Sequence, residues 1–364
     1  MNRYPIISSV LCLLLGSCQS IEPLSIDYML PAEINFPAEL KKVAVVNNMP
    51  PPASKDFLIK EEEMTSKNTE TPVLTQFFHG NANIVSESLA ENLAKGNYFN
   101  EVIICDSVLQ SKSQPKQEQM LSVEEVEMLT QGLGADLLIA VEDVQIKAVR
   151  KVEFSPFYHV YFGTTDLKVY PTLRIYIPGR KAPLSTIHAN DSIFWEETGT
   201  SFTEAESRLI NNKELVEQAS VFAGIIPVKH LLPHWQNVHR YLFTGGCVQM
   251  RDAAVYVREN NWSDAIRLWE QMYDEKKGKK KMQAAHNLAL GHEMQDNLTQ
   301  ALDWARKAQN IAFEIDKVEQ KKTPLGIEAD DVPNYALERM YVSELEKRNA
   351  QTGLLNMQMK RFSE

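Results

Sequence analysis

The chain has 364 residues and a formal net charge of −10, with 44% apolar and 24% charged residues. That length is enough for two domains with cores of their own, and the composition is that of a water-soluble globular body. The acidic balance excludes a nucleic-acid surface, which needs clustered Lys and Arg, and argues against a body lying flat on anionic lipid.

The N-terminus carries an export pattern. Arg3 gives a basic start, Ile6 to Leu15 form an apolar run broken by Ser8 and Ser9, and Leu15-Gly16-Ser17-Cys18 follows. The run is about ten residues, whereas a membrane helix needs roughly 20, so the segment is a processed signal rather than an anchor helix. Small Gly16 and Ser17 let the chain lie extended in a peptidase site. Cleavage between Ser17 and Cys18 leaves Cys18 as the lipidated first residue. Acyl chains there, at about 0.8 kcal/mol per buried CH₂, would tether a soluble body to a membrane. The expected divisions are residues 1–17 as signal peptide and 18–40 as lipidated tether and entry segment, where Pro23, Pro31 and Pro37 forbid a continuous helix. The expected location is the cell envelope, at the outer membrane, with its face left open. Cys12 leaves with the signal. Cys105 closes the apolar run Val102-Ile103-Ile104, so it and Cys247 are expected as free thiols rather than as a disulfide.

Residues 41–226 predict an α/β domain with a mixed sheet and flanking helices. Lys41 to Asn48, rich in valine, reads as a central strand. Pro50 to Thr71 reads as a solvated insertion, and Val73 to Lys95 as a helix stopped by Gly96-Asn97. Tyr98-Phe99 and Val102 to Cys105 form the next strand. Ser122 with Glu125 is a capping box for a helix ending at Gly132 to Gly134. Ala135 to Val141 is a buried strand that continues through Val144, Ile146 and Ala148 with one wet face. Asp166 to Ile177 and Ile187 to Glu196 are two antiparallel strands, and Thr203 to about Ile225 is one long helix.

Residues 227–364 predict an all-α, TPR-like domain. Asn261-Trp262-Ser263-Asp264-Ala265-Ile266-Arg267-Leu268-Trp269 resembles Asn297-Leu298-Thr299-Gln300-Ala301-Leu302-Asp303-Trp304-Ala305. Ala265 and Ala301 are 36 residues apart, close to the roughly 34 of tetratricopeptide repeats. Each segment follows a helix carrying small residues, Ala253-Ala254 and Ala284-Ala285, which lets neighbouring helices approach closely. Asn334 to Met359 supplies a further helix, and a helix before Gly245 supplies a cap.

No catalytic motif is present. Gly132-Leu133-Gly134 follows a helix and precedes a strand, the reverse of a phosphate loop. The adjacent acids Glu142-Asp143 and Glu196-Glu197 should point to opposite strand faces and stay solvated. His230, His234 and His239 are interrupted by Pro233 and lack accompanying carboxylates, so they read as surface or capping histidines rather than zinc ligands. Lys276, Lys277 and Lys279 to Lys281 around Gly278 read as a solvated inter-helix loop. Neither a metal nor a cofactor is implied. Trp262, Trp269 and Trp304 are the residues through which the repeat would contact a partner protein.

Together these parts resemble a family of TPR-containing lipoproteins of Bacteroidota. The resemblance rests on the lipobox at Cys18, Val43-Ala44-Val45-Val46-Asn47-Asn48, Ser192-Ile193-Phe194-Trp195, Pro233-His234-Trp235 and the Trp262…Ala265…Trp269 hairpin. The first domain also resembles the α/β domain of the curli-secretion lipoprotein and related envelope lipoproteins. The matching pieces are the first strand, the Tyr98 to Asp106 strand and Leu133-Gly134-Ala135-Asp136-Leu137-Leu138. The resemblance implies an envelope location and protein contacts, and no reaction. The expectation is a non-enzymatic adaptor, bound to the membrane through lipid on Cys18 and to a protein partner through the helical repeat. The alternative is an oligomeric component of an outer-membrane secretion or assembly apparatus.

Overall fold

The structure, a computed structural model, describes residues 21–52, 57–65, 72–105, 120–323 and 326–362. The signal segment, Ser17 and Cys18 lie outside the described residues, as do parts of the polar stretches after Pro52 and Cys105. The chain divides into two units: residues 32–234 with 357–364, and residues 1–31 with 235–356. A sheet-dominated region running to Phe243 precedes a helical region from Val248 to Phe362.

In chain order the strands are β1 (Ile21–Leu30), β2 (Lys42–Asn47), β3 (Leu58–Thr65), β4 (Pro72–His79), β5 (Glu101–Cys105), β6 (Leu137–Ser155), β7 (Val160–Tyr176), β8 (Ser185–His188), β9 (Asp191–Gly199) and β10 (His234–Phe243). The helices are α1 (Ala82–Lys95), α2 (Val123–Leu133), α3 (Phe202–Arg208), α4 (Asn212–Ile225), α5 (Val228–Leu231), α6 (Val248–Arg258), α7 (Trp262–Glu275), α8 (Gly278–Met294), α9 (Leu298–Ile315), α10 (Val318–Lys321) and α11 (Pro333–Met359).

In the sheet unit, β2 lies between β5 and β6 and is parallel to both: Val43 faces Val102 on one side and Leu137 on the other. A strand buried on both faces needs an unbroken apolar run, which Val43 to Val46 supplies. The Asp136 carboxylate fixes the entry to β2 by accepting the Lys41 and Lys42 amides, each at 2.8 Å. Beyond Val141, β6 runs on to pair antiparallel with β4 along one edge and with β7 along the other. There its burial alternates, Val144, Ile146 and Ala148 inward and Gln145 exposed. Strands β8 and β9 close the far edge of β7. One face of the sheet packs Leu89 and Leu93 of α1 and Leu215 and Ala219 of α4; the other packs Val126 of α2 on Ala44, Leu138 and Ala140.

Four predicted elements differ. Residues 73–79 belong to β4 rather than to the helix, because Val73, Thr75, Phe77 and Phe78 satisfy the extended edge of β6. The helix begins only at Ala82, where Asn81 caps it by accepting the Asn83 amide at 3.2 Å. The insertion predicted as solvated holds β3, which forms an antiparallel ribbon with β4. The single helix from Thr203 is two: α3 ends at Arg208, and Asn211 starts α4 by accepting the Glu214 amide at 3.0 Å. The helix expected before Gly245 is strand β10, paired with β1. The Ser122–Glu125 capping box forms as predicted, with both reciprocal bonds made and Gly134 closing α2 at φ 66°.

Helices α1 and α4 approach at Gly224. A Cβ there would lie 2.6 Å from the Leu89 amide nitrogen and 2.7 Å from the Val85 carbonyl oxygen. Both are backbone atoms of a buried helix and cannot step aside. Gly224→Ala is expected to destabilise the sheet unit by about 1–3 kcal/mol, read as a lowered denaturation midpoint followed by circular dichroism. An unchanged midpoint would show that the helices separate freely.

The last residues of α11 belong to this unit. Gln358, almost fully buried, donates to the Ala32 carbonyl at 3.1 Å and accepts the Ala32 amide at 2.9 Å. The Arg361 guanidinium lies over the Tyr98 ring at 4.7 Å and the Phe99 ring at 5.1 Å.

In the helical unit, α6 to α9 follow one another through short turns. Two of these turns are the same at the level of individual bonds. Asn260 and Asp296 sit in left-handed backbone at φ 57° and 56°. The Asn261 and Asn297 amides reach back to the Tyr256 and His292 carbonyls at 2.8 and 2.9 Å, a Schellman-type closure. The same asparagine side chains then cap the next helix, accepting the Asp264 and Gln300 amides at 3.3 Å each. Ala265 and Ala301 are fully buried in equivalent places. The 36-residue likeness is thus a likeness of caps and core positions.

Candidate functional site

The helical unit is built over a buried network of charge. Glu293, its side chain fully enclosed on α8, accepts two parallel bonds from Arg240 of β10, Nε and Nη2 each at 3.0 Å. It also accepts the Tyr341 hydroxyl at 2.8 Å and Arg348 Nη1 at 3.0 Å, both from α11. Arg240 Nη1 reaches Glu344 as well. Burial works against the Arg240 charge and the Glu293 carboxylate overrides it, so the guanidinium is held above its ordinary range. Burial beside the same carboxylate drives the Tyr341 phenol well above its usual value.

Two turns back on α8, His286 is enclosed with Glu338. Its Nδ1 lies 3.0 Å from both Glu338 carboxylate oxygens, and its Nε2 lies 2.8 Å from the Tyr241 carbonyl. Both ring nitrogens face acceptors, so the ring carries both protons. Burial lowers its pKa, but the Glu338 charge and hydrogen bond and the Tyr241 carbonyl outweigh burial, and the value lies above 6.5. A folded pKa above the unfolded one gives stability that is complete below the unfolded value and lost as pH rises through the folded one. The urea midpoint of the helical unit should therefore fall as the pH is raised above the ordinary histidine range, and His286→Gln should flatten that slope. A parallel slope in the variant would assign the dependence elsewhere.

The network reaches the surface through Arg348. Its Nη2 donates to Asp296 at 2.8 Å, and its guanidinium lies over the Tyr28 ring of β1 at 4.3 Å. These groups line a groove of about 490 Å³, completed by Leu298, by Leu355 and Asn356 of α11, and by Trp235 of β10. Trp235 is 68% exposed. Cross-strand bonds from Asn237 to Ser25 and Asp27, each 2.7 Å, hold the β1–β10 ribbon beside it. The groove therefore offers a free indole, an arginine held flat by an aromatic ring below and carboxylates on either side, and apolar walls.

Of the tryptophans chosen from the sequence, Trp269 is fully enclosed and Trp262 is 8% exposed, its Nε1 donating to Asn260 at 2.8 Å. Both are core, because helical spacing put them on the face that packs against α8. Trp304 is half-buried, edge-on to Tyr273 at 4.9 Å and covered by Lys307 at 3.7 Å. The indole with a free face is Trp235, whose Pro233-His234-Trp235 setting the sequence had marked.

The remaining candidates fall into place. Glu142 is buried, contrary to the solvated position expected for it. Its oxygens accept Asn48 Nδ2 at 2.7 Å and the Tyr176 hydroxyl at 3.0 Å, and Arg174 lies 3.5 Å away. It occupies a bulge where the β6–β7 register shifts between Val141 and Asp143, so the simple alternation of faces fails there. Burial and the Glu142 charge push the Tyr176 hydroxyl up to about 12. Glu196 and Glu197 are both exposed. His230 pairs with Glu33 at 2.8 Å at the end of α5, while His234 and His239 lie on β10. Among the described residues no cluster of three His, Cys, Asp or Glu could hold a metal ion. Lys279, Lys280 and Lys281 are helical, in the first turns of α8, rather than in the inter-helix loop expected for them; Lys279 and Lys280 remain exposed. Cys105 and Cys247 are not joined in a disulfide. No helix among the described residues is long and apolar enough to cross a membrane.

Residues 40–243, more than half of the chain, match the family described as Domain of unknown function (DUF8603). Residues 251–347 match the one described as Domain of unknown function (DUF6340). Among curated proteins, none matches the chain.

Proposed function

The chain belongs to the DUF8603 family, and from that premise we propose that it is a lipid-anchored cell-envelope protein acting as a non-enzymatic adaptor. Its helical unit binds another protein. The observation that carries this reading is the groove: a tryptophan left in water beside an arginine that is already immobilised. Tryptophan and arginine dominate protein-binding hot spots, and a pre-ordered side chain loses little entropy on association. The repeated turns and caps at Asn261 and Asn297 support a TPR-like reading of α6 to α9, and stacked helix pairs present extended binding surfaces. The Leu15-Gly16-Ser17-Cys18 pattern supports anchoring by lipid on Cys18 at the outer membrane.

The test is cross-linked capture from envelope extracts with the full chain, wild type against Trp235→Ala. A partner held by the wild type and lost with the variant supports the adaptor. Equal capture by both removes the groove from the reading. A point substitution is the right tool, because removing the helical region would also remove Gln358 and Arg361 from the sheet unit.

A further inference from the structure

The β6–β7 hairpin ends in an aromatic tip that the adaptor reading does not use. Residues 154–165 hold five aromatic side chains and no Asp, Glu, Lys or Arg, in a chain that is 24% charged. The strands stay paired to the end, Ser155 opposite Val160, and the turn between them is closed by the His159 amide on the Ser155 carbonyl at 2.9 Å. Phe157 is 83% exposed and Tyr158 65%, and Phe154 stands half exposed beside them. The rings are ordered against one another: Phe157 meets Tyr158 edge-on at 4.8 Å, Tyr158 meets Phe162 at 6.0 Å, and Phe154 meets Tyr161 at 5.1 Å. Phe194 of β9 adds a further exposed ring beside the hairpin.

We infer that this tip is a membrane-docking element that inserts its aromatic rings into the headgroup region of a lipid bilayer. The inference rests on the proposed envelope anchoring, which places the protein beside a bilayer. Three features select lipid over a protein partner. The tip is the convex end of a hairpin. It has no charged group to supply the polar rim and arginine anchors typical of protein interfaces. Its Tyr and Phe side chains are amphipathic or apolar bodies of the kind that sit at membrane–water boundaries. Behind the tip, Lys151 and Glu153 pair at 3.1 Å, and the exposed Glu196 and Glu197 of β9 stand opposite Thr164 and Gly163, so the charge nearest the rings is acidic rather than basic. With no basic patch at the tip and a net charge of −10, attachment depends on aromatic burial and not on attraction to anionic headgroups.

The test uses the chain from Gln19, which retains every described residue and carries no lipid. It is sedimented with vesicles of phosphatidylcholine alone and of phosphatidylcholine mixed with phosphatidylglycerol. The expected result is binding to both, insensitive to salt, and reduced at least about tenfold by Phe157→Ser with Tyr158→Ser. Both residues are exposed, so the variant should keep its thermal unfolding. Independently, Tyr158→Trp should show a blue-shifted emission on adding vesicles. Absence of binding to either vesicle, binding unchanged in the double variant, or binding confined to anionic vesicles at low salt would each overturn the inference. So would self-association of the wild type that the double variant abolishes without any vesicle binding, which would make the tip a protein contact. Radiolabelled palmitate incorporation at Cys18 tests the anchor separately, so failure of the anchor and failure of the tip are distinguishable.

Discussion

Replacing Glu293 by alanine should destabilise the helical unit by about 3–5 kcal/mol, the usual cost of removing one partner from a buried ion pair. The carboxylate is the shared acceptor of four donors: Arg240 twice, Tyr341 and Arg348. Without it, Arg240 remains only 4% exposed and keeps one partner, Glu344, which is itself partly in water. That solvent-screened contact cannot replace the lost one. Tyr341 and Arg348 lose acceptors at the same time, and an unsatisfied buried donor costs more than the bond it made. Four of the five tryptophans, Trp235, Trp262, Trp269 and Trp304, lie in this unit, so their fluorescence during urea unfolding reports it. Removing Arg240 and Glu293 together, both to methionine, should recover much of the loss, because no orphaned charge then stays inside. A loss below about 1 kcal/mol in Glu293→Ala would mean that water enters the network freely.

The network also explains why the surface groove is pre-formed. Arg348 is clamped at Glu293 below and Asp296 above, with Tyr28 under its plane. A lysine has one ammonium and cannot make both contacts while stacking. Trp235 makes the second large prediction. Its indole is exposed in the free protein, so Trp235→Ala should leave the unfolding midpoint nearly unchanged. The same change should weaken partner binding by about 2 kcal/mol, roughly 30-fold. Both quantities come from one pair of proteins: a denaturation curve and a titration with the captured partner. A variant that loses stability in step with affinity would make Trp235 a structural residue rather than a contact.

Much of the fold was legible because local patterns and tertiary packing agree. The buried run Val43 to Val46, the Ser122 capping box, the alternation after Val141 and the Asn261 and Asn297 helix starts each follow from short-range chemistry. Elements failed where long-range pairing decided. Residues 73–79 and 234–243 have apolar spacing that suits either period, and only the partner strands β6 and β1 select the extended form. The bulge at Glu142 is a register event with no local signature. The candidate site was harder to read. The groove is assembled from β1, the α8–α9 turn, β10 and α11, and Arg348 is 52 residues from Asp296. Type and spacing single out Trp262 and Trp269, but that same spacing is what buries them. Trp235 lay outside the repeat, and its exposure follows from the β1–β10 ribbon, which the sequence had read as tether and helix.

Contact between the groove beside Arg348 and another protein can be read with a photo-activatable amino acid placed at position 235 of the full chain in the intact envelope. Position 280, an exposed lysine on α8, serves as the control. The expected result is one discrete protein adduct from position 235, none from position 280, and loss of the adduct when Arg348 is replaced by alanine. No adduct at 235, or the same adduct from both positions, would contradict that contact.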